Sequence, residues 1–171
     1  MSMMTSAMAN KILKKLNEDK DYWCQKEREG CTYVAAADEE PVIPNYDYTK
    51  VAKEIAAIDD KIVKIKHAIN VNNVMNTVSV DGCEMTVDEI LVRMAQLNRR
   101  KVVLDGMRKR EDKTRINSGM YAARKTAPEY EYVNYDIETV KREYEAVDAD
   151  ISAMQIALDR YNQTFEFEVE D

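Results

Sequence analysis

The sequence predicts a mainly α fold, a long antiparallel coiled coil or helix bundle of about four helices with a short β-hairpin and a C-terminal strand. Three observations predict it. Four glycines and three prolines are the only strong helix breakers in 171 residues. Two segments carry apolar residues at alternating spacings of four and three. Two shorter segments alternate with a period of two, which is typical of strands.

The first helix is predicted from about Ala7 to Glu29, where Gly30 provides a stop signal. Residues 1–8 are expected to be disordered. After the helix, the apolar periodicity disappears over residues 32–48, which hold two prolines and clustered acids. We therefore predict a long loop in this stretch.

The second and fourth helices each carry a heptad seam, a line of apolar residues at spacings of four and three. The two seams are Val51, Ile55, Ile58, Ile62, Ile65 and Ile69, then Val140, Tyr144, Val147, Ile151, Met154, Leu158 and Tyr161. A narrow seam must be covered by another helix, and β-branched residues at both seam positions favour more than two helices around the axis. The sequence thus predicts a homo-oligomer formed through these seams.

Between the two seams, Asp81-Gly82 is flanked by β-forming residues and predicts a hairpin with a type I′ turn. Thr86 and Glu89 then form a capping-box pattern, so a third helix should start near Val87 and continue to about Asn117. At the C-terminus, residues 165–169 alternate strictly and predict a strand, which we expect to join the hairpin as a third strand.

The fourth helix is predicted to open after Asp136 as its N-cap, and residues 130–133 before it to be extended. A shift of 89 residues superposes the second helix on the fourth, with Asn-Tyr-Asp opening both and a strand following both. This predicts a pseudo-repeat, residues 45–81 and 134–170. We interpret it as an internal duplication.

The residues needed for common catalytic chemistry are scarce. His67 is the only histidine and lies off the seam, so we expect it on an exposed helix face. Cys24, Cys31 and Cys83 are widely spaced, which disfavours a zinc site or disulfide framework; Cys83 is expected to face the helices as a small apolar residue. No phosphate-binding glycine motif occurs. We therefore predict no enzyme, with no catalytic, cofactor-binding or metal-binding residues.

Charge is unevenly distributed along the chain. Residues 99–125 hold ten basic and three acidic side chains, a net charge of +7 in a chain whose total is −7. One hypothesis is an RNA- or phosphate-binding face. The other is electrostatic pairing with acidic helices, which is favoured because no aromatic residues interleave with the bases of the third helix. Nucleic acid is thus an unlikely partner.

Five tyrosines flank the openings of the second and fourth helices: Tyr46, Tyr48, Tyr130, Tyr132 and Tyr135. Packing at the bundle end with wet hydroxyl groups is the favoured interpretation, and a ligand-stacking cluster is the alternative. The sequence shows neither a signal peptide nor an 18-residue apolar run, so we expect a cytoplasmic protein without a membrane partner. The expectation for residues 1–171 is a single elongated helical domain.

Several short motifs resemble those of uncharacterised bacterial helical proteins sometimes labelled septicolysin. They are Asp38-Glu-Glu-Pro41, Ile69-Asn-Val-Asn-Asn73, Gly82 with Met85-Thr86, and Val133-Asn-Tyr-Asp-Ile137. The chain departs from that family in its Ile- and Val-rich seams and in Tyr161-Asn162, where the family has Asn-Trp near the end. The resemblance implies an unknown function and no catalytic residues. Its cytolysin label is discounted, since Trp23 is the only tryptophan and no Trp-rich loop is present.

The leading hypothesis from sequence is a non-enzymatic coiled-coil scaffold that self-associates through its seams and presents its hairpin end to a protein partner. A prefoldin-like holdase, which combines helices with a hairpin platform, is the second hypothesis. RNA binding through the third helix is the third.

Overall fold

The computed structural model describes residues 1–116 and 128–170. Over these residues the chain is mainly helical, which confirms the predicted fold class, with four helices and three antiparallel strand pairs. The helices are α1 (Ser6–Gly30), α2 (Tyr48–Met75), α3 (Val87–Arg108) and α4 (Ile137–Thr164). The strands are β1 (Ser2–Thr5), β2 (Thr77–Val80), β3 (Cys83–Thr86), β4 (Lys113–Arg115), β5 (Tyr130–Tyr132) and β6 (Glu166–Val169).

The chain divides into two compact units, where the sequence predicts one domain. Unit 1 comprises Met1–Thr77 and the segment from Asp159 onward, and unit 2 comprises Val78–Leu158. The helix α4 therefore contributes its last turn and a half to unit 1 and the rest to unit 2.

Unit 1 is built on α1 and α2, which run antiparallel. Lys20 Nζ donates to Asp59 Oδ1 at 2.6 Å, and farther along α1 Glu27 Oε1 lies 3.5 Å from the hydroxyl of Tyr46, which stands just before α2. The end of α1 thus lies beside the start of α2. The strands β1 and β6 pair antiparallel across one end. Buried side chains from all four elements form one core: Met4, Ala9, Leu13, Ile58, Ile62, Ile65, Phe167 and Val169.

Two predictions about the chain ends are wrong. Residues 1–8 are ordered, with β1 followed directly by α1, because β6 supplies hydrogen-bonding partners to β1 and the core accepts Met4. The C-terminal strand forms as predicted, but it pairs with β1 and not with the hairpin. The register places Ser2 opposite Val169 and Thr5 opposite Glu166.

The hairpin and the start of α3 in unit 2 are as predicted. Asp81 and Gly82 both have positive φ angles, 49° and 83°, as a type I′ turn requires. Thr86 caps α3: its side chain accepts from the Glu89 amide at 3.2 Å, while the Glu89 carboxylate accepts from the Thr86 amide at 2.8 Å. This reciprocal pair is a capping box.

The helices α3 and α4 also run antiparallel. Lys101 binds Asp148, and the Tyr135 hydroxyl donates to the Met107 carbonyl at 2.9 Å, so residues late in α3 lie beside the opening of α4. That opening is capped as predicted, since Asp136 Oδ2 accepts from the Thr139 amide at 3.1 Å.

The prediction that α3 continues to about Asn117 is wrong. The helix ends at Arg108, and Lys113–Arg115 form β4, which pairs with β5. Glu129 and Asp112 carbonyls extend this pairing by accepting from the Ile116 and Val133 amides. Backbone pairing with the extended segment before α4 thus replaces the helix, and Asn117 itself lies outside the described residues. The extended geometry predicted for the segment before α4 is confirmed.

A second correspondence, at an offset of 81 residues, extends the pseudo-repeat to the first half of each copy. Thr5 and Thr86 are the N-caps of α1 and α3. Asn17 and Asn98 both donate from Nδ2 to the carbonyl four residues earlier, at 2.7 and 2.9 Å. Each copy is therefore a strand, two antiparallel helices and a strand, β1-α1-α2-β2 and β3-α3-α4-β6.

The strands of the two copies are exchanged. The pair β1–β6 takes its first strand from copy 1 and its second from copy 2, and the hairpin β2–β3 does the same. The offset is 81 before the helix–helix connection and 89 after it, so copy 2 holds eight additional residues there. The connection itself has 28 residues in copy 2 and 17 in copy 1, because α3 also ends three residues before the equivalent of Gly30. Lys20 binds Asp59 in copy 1, and Lys101 binds Asp148 in copy 2. The two lysines are related by the offset of 81 and the two aspartates by the offset of 89.

Candidate functional site

The tyrosines at the helix openings stabilise the ends of the helix pairs. Tyr46 packs directly on Gly30, where a Cβ would come within 2.7 Å of the Tyr46 Cβ. Partial burial, with Glu27 next in importance, raises the pKa of Tyr46 above its usual value. Tyr135 occupies the equivalent position in copy 2 and binds the end of α3. The packing expected of these tyrosines is thus present in both, but their hydroxyl groups, expected to be wet, bind Glu27 and the Met107 carbonyl.

The remaining tyrosines of the predicted cluster are exposed, and the rings of two of them contact a lysine. Tyr130 and Tyr132 lie on β5 with ring centroids 6.4 Å apart. Lys113 Nζ lies 4.0 Å from the centroid of the Tyr130 ring, a cation–π contact across the strand pair. Tyr48, the first residue of α2, is exposed.

The basic stretch is largely paired with acids of this chain. Ion pairs join Arg100 to Glu143, Lys101 to Asp148, Arg108 and Lys109 to Asp105, and Arg110 to Glu131. The pKa of Asp105 is lowered, chiefly by the hydrogen bond from Lys109 and then by the one from Arg108. Arg124 and Lys125, which belong to the predicted basic stretch, lie outside the described residues. The pairing favours the electrostatic hypothesis over a free cationic face.

The single histidine and the cysteines do not come together. His67 is exposed, as predicted. Cys83 is exposed on β3, so the prediction that it faces the helices as a small apolar residue is wrong. Over residues 1–116 and 128–170, His, Cys, Asp and Glu form no group of three that could hold a metal ion.

None of the helices in the described ranges is both long and apolar enough to cross a membrane.

An apolar face of α3 points away from α4. Ile90, Leu97 and Leu104 are buried on one side of the helix. At about 100° per residue, eight exposed residues fall within a sector of about 120° on the other side; besides Asp88, Arg99 and Gly106, they include five apolar residues. We call these five apolar residues the α3 outer face: Leu91, Val92, Ala95, Val102 and Val103. Val102 is 74% exposed and Val92 54%. A helix apolar on both sides is typical of one that is covered on both sides.

The equivalent face of α1 is the natural comparison, because each of the two helices has a threonine N-cap, an antiparallel partner helix and a lysine–aspartate ion pair to that partner. Subtracting 81 from the α3 outer face gives Asn10, Lys11, Lys14, Asp21 and Tyr22, all exposed. Four of these five are polar or charged, as expected for a face in water. The buried sides do not differ in this way, since Ala9 and Ile90 are both fully buried. The apolar residues of α3 are therefore not a requirement of the fold.

A cleft in unit 1 lies between the C-terminal half of α2 and β6. Its volume is about 480 Å³, and Val63, Val71, Met75 and Phe167 form its apolar walls. Asn72 also lines it and is only 4% exposed. This residue stands at the next position of the α2 seam after Ile69, where an apolar side chain is expected.

The two ends of the Asn72 amide differ in their hydrogen bonding. Its Oδ1 accepts from the Tyr161 hydroxyl and from Asn76 Nδ2, both at 3.0 Å. Its Nδ2 is buried and has no hydrogen-bond partner among the described residues. Burial is the main reason that the pKa of Tyr161 is raised, while the bond to Asn72 acts in the opposite direction. An unpaired buried donor costs free energy unless something binds it.

The α3 outer face and the Asn72 cleft are both absent from the sequence-based predictions. A comparison of α1 with α3 at the offset of 81 would have revealed the outer face, because four polar residues of α1 correspond to apolar residues of α3. In the sequence, the only indication of the cleft is Asn72, the polar residue that follows Ile69 in the seam of α2.

No protein-family model matches the sequence, and no curated protein matches it. Among solved structures, the chain is similar to the crystal structure of a functionally unknown conserved protein from Corynebacterium diphtheriae. The two are 11% identical, the alignment covers 98% of this chain and 100% of the other, and the TM-score is 0.66. At this identity the likeness shows a shared fold, and the function of both proteins is unknown.

Proposed function

We propose that this protein is a non-enzymatic helical scaffold that self-associates through the α3 outer face. The observation that carries the proposal is the contrast between α3 and α1. Equivalent exposed positions hold Leu91 and Val102 in one copy and Asn10 and Asp21 in the other. Exposed leucine and valine on one side of a helix are stabilised when a second apolar surface removes them from water.

The charge distribution of α3 favours a second copy of this chain as the occupant. The first turn holds Asp88 and Glu89, and the last turn ends with Arg108, next to Lys109. Two α3 helices packed antiparallel would oppose their dipoles and would place each acidic first turn beside the last turn of the other, where Arg108 and Lys109 together exceed the charge of their common partner Asp105 by one. Such an arrangement is an isologous two-fold contact, the commonest kind in homo-oligomers.

Sedimentation velocity at micromolar concentrations tests the proposal. The native chain should sediment as a dimer or higher oligomer. The double variant Leu91→Asn with Val102→Asp, which places the α1 residues on α3, should raise the dissociation constant at least about 100-fold, since each substitution acts on both chains. Unchanged far-UV circular dichroism would show that the helix is intact.

The matched control is Ile156→His, which replaces an exposed apolar residue of α4 by the residue at its copy 1 equivalent, His67. This variant should self-associate like the native chain. A compact native monomer at micromolar concentration would overturn the proposal, and so would an oligomer that persists in the double variant.

The other two hypotheses have weaker support. RNA binding needs accessible cations, and Arg100, Lys101, Arg108, Lys109 and Arg110 all bind acids of this chain. A holdase would need hairpins that join between subunits, and no observation on the two-stranded sheet β2–β3 favours such joining. Membership of the septicolysin-labelled family and a cytoplasmic location stay predictions.

A further inference from the structure

The Asn72 cleft combines two properties that are rarely found together by chance. Its volume of about 480 Å³ falls in the range of small-molecule sites, and its walls are mainly apolar. One of its lining residues, Asn72, carries a buried donor, Nδ2, without an acceptor among the described residues. A small number of polar groups in an otherwise apolar cavity is the usual composition of a ligand site.

The hydrogen bonds around Asn72 fix which atom of its amide group is unpaired. Both Tyr161 and Asn76 Nδ2 are donors at its Oδ1, so the amide cannot be flipped without placing its NH2 group against the Asn76 NH2 group. The structural role of Asn72, pairing with Tyr161, therefore uses the oxygen alone. The nitrogen is left for a group that accepts.

We propose that this cleft binds a small, mainly apolar molecule through a carbonyl oxygen that accepts from Asn72 Nδ2. An anionic ligand is disfavoured by the rim, where one lysine, Lys64, faces two glutamates, Glu168 and Glu170. The proposal goes beyond self-association and involves unit 1 only, so either proposal can fail without the other.

Copy 2 shows that the cleft is not needed for folding. At the offset of 89, Val71 corresponds to Arg160, Met75 to Thr164 and Asn72 to Tyr161. The same helix position thus accepts an arginine in a well-formed helix of the same fold. Val71→Arg is accordingly a variant that should fill the cleft with a charged side chain while leaving α2 helical.

The probe is Prodan, a fluorescent neutral naphthalene ketone whose emission reports both polarity and hydrogen bonding to its carbonyl. We expect saturable binding with a Kd on the order of 100 μM. Val71→Arg should weaken binding at least about tenfold. The control Val74→Gln also copies its copy 2 equivalent, Gln163, but Val74 does not line the cleft, and binding should change less than about twofold.

A nitrogen-15 NMR titration tests the carbonyl contact directly, because the Asn72 side-chain NH2 resonances should move downfield as Prodan saturates. This readout requires no substitution at Asn72, so it does not depend on a variant that fails to fold. Absence of saturable binding would overturn the proposal. Binding that is unchanged in Val71→Arg, or that leaves the Asn72 NH2 resonances in place, would overturn it as well.

Discussion

The Tyr161 hydroxyl donates to Asn72 Oδ1 at 3.0 Å, and the two residues are 89 positions apart in the chain. This separation equals the offset that relates α2 to α4, so the hydrogen bond joins equivalent positions of the two copies. Both positions belong to seams that are otherwise mainly apolar. A buried polar pair in an apolar seam selects one register, because any slip leaves the Tyr161 hydroxyl unpaired and Asn72 Oδ1 with one bond fewer.

Tyr161→Phe should reduce the free energy of unfolding by about 1 kcal/mol, since it removes the donor and leaves Asn72 Oδ1 with one bond fewer. Urea unfolding followed by circular dichroism measures the change. Tyr132→Phe is the control, because Tyr132 is 62% exposed, and its effect should be within about 0.5 kcal/mol. Equal effects of the two substitutions would contradict a stabilising role for the Tyr161–Asn72 pair.

The exchanged strands predict that the chain tolerates circular permutation. In the register of β1 and β6, Val169 lies opposite Ser2, which is the relation of Val80 to Cys83 across the two-residue hairpin turn. A permutant that joins Val169 to Ser2 through Asp-Gly and opens the chain between Asp81 and Gly82 should fold. Its free energy of unfolding should be within about 2 kcal/mol of the native value.

A second permutant, opened inside α2 between Lys61 and Ile62, is the comparison. It interrupts a helix that supplies three residues of the core, and it should lose cooperative thermal unfolding. If both permutants unfold alike, the turn at Asp81-Gly82 is not equivalent to the paired chain ends.

Two glycines should respond in opposite directions to substitution by alanine. Gly82 has a φ of 83°, so Gly82→Ala should destabilise by about 1 kcal/mol. Gly106 lies in the last turn of α3, where an added Cβ would meet no atom within 4 Å, so Gly106→Ala should stabilise by about 0.5 kcal/mol. Thermal melts of both variants measure the two effects, and a destabilising Gly106→Ala would show that the helix end requires glycine.

The cap of α4 predicts an acid-dependent loss of stability. The pKa of Asp136 is lowered, first by the hydrogen bond from the Thr139 side chain and then by the backbone amides of Glu138 and Thr139. A lowered folded-state pKa means that the stabilisation is complete above the usual aspartate pKa and is lost as the pH falls through the folded value.

Asp136→Asn keeps an acceptor at the N-cap but cannot titrate. Between about pH 6 and about pH 2, thermal midpoints of the native chain should fall more than those of the variant. The difference between the two proteins should therefore narrow towards low pH. Parallel curves would show that the Asp136 charge does not contribute to the cap.

Local chemistry explains which parts of the fold the sequence predicts. The Asp81-Gly82 turn, the Thr86 and Glu89 box and the Asp136 cap are all encoded within four residues, and all three form as expected. Short-range patterns determine these features because their partners are adjacent in the chain.

The features that sequence reasoning missed depend on partners far along the chain. Nothing within residues 1–8 indicates a strand until β6 is known to be its partner. Few residues are identical between α1 and α3 at the offset of 81, where Asn17 and Asn98 make the same hydrogen bond but most neighbouring residues differ. The Asn72 cleft needs α2 and β6 together, so neither element reveals it alone.

The pairing of β1 with β6 has a consequence for synthesis on the ribosome. Thr5 is paired with Glu166, 161 residues later in the chain, so unit 1 cannot close until β6 has been made. In the meantime, the isoleucine seam of α2 has α1 to cover it but lacks Phe167 and Val169. Copy 2 has its first strand paired as soon as the hairpin emerges. Folding of copy 1 during synthesis thus depends on the speed of translation far more than folding of copy 2 does.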